Sequence, residues 1–77
     1  SKSFVDPKVL ALQTSLTKDV EEKSIEDVDA YLLMVGSSNS IVKLTLKPSK
    51  GLMAANESPR STLTSFFTLI NFLILSC

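Results

Sequence analysis

Residues 61–77, STLTSFFTLINFLILSC, carry no charged side chain and include nine large apolar ones. Removing apolar surface from water is worth about 25 cal/mol per Å², so this segment has to be covered by the rest of the chain, by a partner or by lipid. On a helix, Leu63, Phe66, Ile70, Leu73 and Cys77 share one face, while Thr64, Thr68 and Asn71 line the other. Seventeen residues at about 1.5 Å each reach about 25 Å, short of a hydrocarbon core of about 30 Å. With Asn71 near the middle, a helix buried in the domain core or in a subunit interface is the first expectation. Membrane attachment, with Arg60 as the interfacial anchor, is the second. A strand is the third, because residues 66–75 are rich in aromatic and branched side chains and hold no proline, glycine or charge.

The other residues have to supply what covers this segment, and their number limits how. A chain of 77 residues supports a single core. With one cysteine, Cys77, and no histidine, it has neither an intrachain disulfide nor the usual zinc ligands to brace a small fold. An efficient core, self-association or a partner remains, and the mean hydropathy of +0.25 provides apolar surface for each. The chain opens at Ser1 rather than a methionine, as removal of a leader or tag would leave it, and no basic-then-apolar signal segment stands in front.

Eight basic and eight acidic residues cancel, which argues against nucleic acid as a partner. Their order is uneven. Residues 1–30 hold four lysines against seven acids, residues 31–60 hold Lys43, Lys47, Lys50 and Arg60 against Glu57, and nothing after Arg60 is charged. The gradient suits an acidic element packed beside a basic one within one fold, or two copies attracting head to tail.

Along the chain, Asp6-Pro7 predicts a helix start, with Val9, Leu12, Leu16 and Val20 on its apolar face. The hydroxyl residues within 14–17 weaken that helix, and a strand over 9–16 competes with it. Ser24 with Asp27 three residues on reads as a capping box opening a helix over 24–35. Its stripe is Ile25, Val28, Leu32 and Val35, widened by Leu33 and Met34, and Gly36 is expected to end it in a left-handed cap. After the polar run 37–40, residues 41–47 alternate: Val42, Leu44 and Leu46 against Lys43, Thr45 and Lys47. That pattern predicts an edge strand with a lysine face, closed by Pro48. Residues 49–60 read as a connection with a short turn at 52–55.

No reaction is supported by these residues. Without histidine, a Ser-His-Asp or Cys-His arrangement cannot be built, so the chain is expected not to be an enzyme. Cys77, in apolar surroundings, is expected to be inert packing or to form an intermolecular disulfide. The acids at 21–29 lack the alternating ligands, central glycine and terminal glutamate of a calcium loop, and no cofactor or metal is expected. Asn56-Glu57-Ser58 matches the glycosylation triplet, with Pro59 after it making a poor acceptor, and Ser58-Pro59 is a possible phosphate acceptor. Gly36 and Gly51 are too isolated to cradle a phosphate.

Together these readings predict a small single-domain α+β fold: an amphipathic region over 1–60, with two helices and one edge strand, and an apolar segment over 61–77 packing on the same domain or on a partner. A lone strand needs a pairing partner, which points to a non-enzymatic interaction or assembly subunit in a homo- or hetero-oligomer. The expected contact residues are Ile25, Val28, Leu32, Val35, Leu63, Phe66, Phe67, Ile70, Leu73 and Ile74. The alternative is a small membrane-attached protein anchored by 61–77.

Overall fold

The computed structural model describes residues 6–50 and 57–75, and the side chains of that set up to Ile74. Four helices follow in order: α1 (Pro7–Glu22), α2 (Val28–Gly36), α3 (Ser40–Ser49) and α4 (Pro59–Leu75). The described residues contain no strand, so the expectation of an α+β fold is corrected to an all-helical one. Gly51, the turn expected at 52–55, Asn56 and Cys77 lie outside the described residues.

The first helix begins as its sequence dictates. The Asp6 carboxylate accepts from the Lys8 backbone N–H at 2.8 Å, and Pro7 occupies the first turn, where its missing N–H costs nothing. The hydroxyl residues that weakened the helical reading are bonded back along the helix. Thr14 donates to the Leu10 carbonyl at 3.0 Å and Thr17 to that of Gln13 at 2.9 Å, so neither competes for a non-helical backbone. Val9, Leu16 and Val20 are buried, with Leu12 packed against them.

Ser24 closes α1 rather than opening α2. Its φ of 51° is left-handed, the Ile25 N–H donates to the Val20 carbonyl at 3.0 Å, and the Ser24 N–H donates to that of Glu21 at 3.4 Å. This 6→1 and 5→2 pair is a Schellman closure, in which glycine is the favoured residue at the left-handed position. The next helix starts later than the sequence suggests, with Asp27 as its cap accepting from the Ala30 N–H at 3.1 Å. The N-cap is therefore Asp27 rather than Ser24, and with Ala30 at the third helical position no capping box forms.

Residues 41–47 are helical, which removes the predicted edge strand. Asn39 is the cause that the alternation hid: its side-chain oxygen accepts from the N–H groups of both Ile41 and Val42, at 3.0 and 3.1 Å. Once helical, the segment turns Val42, Thr45 and Ser49 inward and leaves Leu44 on the outside. The buried hydroxyls are satisfied within the helix, Thr45 by the Ile41 carbonyl at 2.8 Å and Ser49 by that of Leu46 at 2.8 Å. Pro48 lies inside α3 and deprives only the Leu44 carbonyl of a donor, on the face where both residues are exposed and water can reach.

Gly36 does not carry the left-handed backbone expected of it, since no described glycine has positive φ. Its role is close approach: a Cβ there would stand 2.9 Å from Leu46 Cδ1 and 3.4 Å from Lys43 Cα. The short connection over 37–39 thus folds α3 back against α2 as an antiparallel pair.

The helix α4 runs antiparallel to α1. Gln13 Nε2 donates to Asn71 Oδ1 at 2.9 Å near one end, and Arg60 Nη1 reaches Glu21 Oε2 at 3.3 Å near the other. At its start, the Ser58 hydroxyl accepts from the Ser61 N–H at 3.1 Å. The segment read as helix, anchor or strand is a helix whose Phe66 is wholly enclosed. The radius of gyration of 12.0 Å is near the value of about 11–12 Å for a compact chain of this length, so α4 lies against the other helices instead of projecting.

Two substitutions test this account. Ser24→Gly relieves the left-handed position and should stabilise by about 0.5–1 kcal/mol, a rise in Tm of a few degrees by thermal circular dichroism. Asn39→Ala should cost about 1 kcal/mol by removing both cap bonds. Under the strand reading, the same change would leave stability unaltered.

Candidate functional site

The residues expected to make contacts with a partner are largely used up inside the chain. Val28, Leu32, Leu63, Phe66 and Ile70 are buried in the core, while Ile25, Val35, Phe67 and Ile74 pack against it in part. Leu73 is likewise half-buried. The structure therefore brings nine of these side chains, all but Leu73, together in or against one interior, contributed by α2, α4 and the Ile25 turn.

The large apolar side chains left at the surface are different ones: Leu10, Leu33, Met34, Leu44 and Phe72, each between 54% and 72% exposed. Leu33 and Met34, expected to widen the α2 stripe, lie outside it, and Leu10, Leu44 and Phe72 likewise fall off the buried face of their helices. Leu33 and Met34 follow Leu32 directly and are rotated about 100° and 200° from it, away from the core. Leu44 is exposed only because residues 41–47 are helical.

Three of the five border grooves: Leu10, Leu33, and Met34, the last beside Ile25 and Tyr31. Leu10 and Phe67 form the apolar walls of an open trough of about 480 Å³ between α1 and α4, with Gln13, Thr14 and Thr17 along it. The polar groups of this trough already have partners within the chain. Gln13 is held by Asn71, Thr14 and Thr17 by their own helix, and Lys18 pairs with Glu22 at 4.0 Å at its end.

Leu33 and Leu46 border the second groove, of about 230 Å³, between α2 and α3, with Asp29, Ser49 and Lys50 at one end. Its charges differ in kind from those of the trough. Among the described residues, the ion pairs are Lys18–Glu22, Lys23–Asp19 and Arg60–Glu21, and none involves Asp29, Lys43, Lys47 or Lys50.

The described residues contain no cluster of acids or cysteines fit to hold a metal ion and no buried side-chain polar atom lacking a partner. No protein-family model, curated protein or solved structure matches the chain. Function therefore has to be argued from these surfaces alone.

One titrating group is displaced, and its cause is structural. Tyr31 is buried on α2 and donates to Asp19 Oδ2 of α1 at 2.9 Å. Burial first, then the hydrogen bond and the nearby carboxylate, push the phenol from 10.0 up to about 12. The contact ties α2 to α1 and holds the Tyr31 phenol in its protonated form at neutral pH.

The unfolded chain loses this proton near pH 10.0, while the folded one keeps it until about 12, so the unfolded state binds fewer protons in that window. The contribution is complete below pH 10 and is lost as the pH rises through about 12. Because the chain has a single tyrosine, tyrosinate absorbance reads the group directly. A midpoint of about 12 is expected, and one at the ordinary phenol value in the folded protein would show that Tyr31 is neither buried nor bonded to Asp19.

Proposed function

We propose that this chain is a non-enzymatic assembly subunit that associates through apolar side chains outside its own core. The observation carrying this reading is the set of five exposed large apolar residues, distributed over all four helices. Isolated exposed leucines are ordinary, but Leu33 and Leu10 each border a groove with a second apolar wall, which is a geometry that a partner side chain can enter. Covering one such side chain fully is worth about 1.5–3 kcal/mol, so a few of them together offset a substantial part of the entropy lost on association. The absence of histidine and of any metal-binding cluster among the described residues supports a binding role over a catalytic one.

Attachment to a membrane through residues 61–77 draws less support. No described helix is long and apolar enough to cross a bilayer, and insertion of α4 would require Leu63, Phe66 and Ile70 to leave the core they fill. That exchange returns little, since lipid and core offer similar apolar surroundings while the other helices would lose their cover.

Sedimentation velocity of the full chain across the micromolar range tests the proposal. A sedimentation coefficient that rises with concentration is expected, together with unchanged behaviour when anionic or neutral vesicles are added. A monomer at every concentration, with no partner recovered by crosslinking, would overturn it.

A further inference from the structure

We infer that the exposed side of α3 docks an acidic amphipathic segment of another protein, its carboxylates set on a row of three lysines and its apolar side chains on the leucines beside that row. This inference rests on the assembly reading above and adds the chemistry of one partner and the face that takes it.

The face follows from the register of α3. Val42, Thr45 and Ser49 turn into the core. Lys43, Lys47 and Lys50 recur at spacings of four and three and are all exposed, so they form one row on the other side of the helix. At about 100° per residue, Leu44 lies about 60° from Lys47 on one flank of the row, and Leu46 about 40° from Lys50 on the other. Leu44 is 72% exposed, and Leu46 joins Leu33 in walling the α2–α3 groove that Lys50 also lines. The result is a basic ridge edged on both sides by apolar side chains.

The chain does little to neutralise this ridge. The helix α3 contains no acid, and none of the three lysines joins an ion pair among the described residues. Asp29 lines the groove beside Lys50, so three lysines are set against one acid. A second copy is poorly equipped to supply the missing carboxylates. Asp6 and Asp27 cap helices, Asp19, Glu21 and Glu22 are ion-paired, and Glu26 lines the groove that Arg60 also lines. The complement therefore belongs to another chain. Nucleic acid would leave Leu33 and Leu44 uncovered, and an anionic bilayer draws on a net positive charge that this chain lacks. A helix with acids at i, i+4 and i+7 and leucines on either flank matches both the charge and the apolar edges. Docking there uses no core residue, so the fold is complete before the partner arrives.

A labelled synthetic helix of that pattern, followed by fluorescence anisotropy against the full chain at low salt, tests this. Saturable binding is expected, about tenfold or more tighter than that of the same peptide with its leucines replaced by serine. The double variant Lys43→Gln, Lys47→Gln should weaken it about tenfold or more, as should high salt, and Leu44→Ser should weaken it severalfold. Lys18→Gln, on the α1–α4 trough, should leave it unchanged. All these positions are exposed, and circular dichroism of each variant establishes that the helices persist.

Peptide binding that is indifferent to the Lys43 and Lys47 changes overturns this face. Failure of the peptide to bind overturns the inference, and so does binding of the chain to phosphatidylserine vesicles in place of the peptide, which assigns the lysine row to lipid. The assembly reading is read separately, from sedimentation of the chain alone, because Leu10, Met34 and Phe72 lie off this ridge on other helices.

Discussion

The enclosure of Phe66 at the centre of α4 is the constraint on which the remaining architecture depends. It is the largest of the fully buried side chains, and Leu32 of α2, Val42 of α3 and Ile70 of α4 are enclosed with it. Every helix contributes to that interior, α1 through Val9, Leu16 and Val20. A chain without disulfide or zinc ligands has no other brace, so the uncharged C-terminal segment that looked like a liability is the element around which the other three helices close.

That closure requires α2 and α3 to approach one another more closely than side chains ordinarily allow. Gly36 makes the approach possible by leaving room for Leu46 against the α2 backbone. The second requirement is that polar residues turned inward find partners. Thr45 and Ser49 bond to carbonyls of their own helix, which lets small hydroxyl side chains fill positions that leucine or valine would overcrowd. The polar ties Tyr31–Asp19, Gln13–Asn71 and Arg60–Glu21 then fix where α1 lies relative to α2 and α4. The exposed Arg60–Glu21 pair orients more than it stabilises.

How much of this was legible in the residues follows from which signals are local. The start of α1 needs only Asp6 and Pro7, and both act within one turn, so the sequence carries it in full. Residues 41–47 are different, because Val42 and Leu46 satisfy a period of two and also a spacing of four, and only Leu44 separates the readings. A strand puts Leu44 inside, whereas the structure puts it outside, and the deciding cap bonds come from Asn39, within a polar run that resembles any turn. Ser24 misleads in the same way, since serine followed by an acid three residues on is a good helix opening, while its left-handed backbone depends on the Ile25 N–H reaching back to Val20. Gly36 was marked as special for the wrong reason: the neighbour that requires it belongs to the next helix.

The proposed contact surface is the least legible part, for a reason that also bears on how such a chain would assemble. Amphipathic stripes identify what is buried, but not whether a partner or the same chain does the burying, and here Val28, Leu32, Leu63, Phe66 and Ile70 are buried by the chain itself. The lone strand that demanded pairing is a helix, and one face of the apolar segment, Leu63, Phe66 and Ile70, is covered within the chain while Phe72 stays exposed. Association is therefore not needed to complete the fold. What remains for it are the exposed apolar residues Leu10, Leu33, Met34, Leu44 and Phe72, and charges with no ion-pair partner among the described residues. Contacts of that kind join units already folded, over modest areas and with polar rims, so their strength depends on electrostatic match and falls with salt, unlike an interface that shares a core.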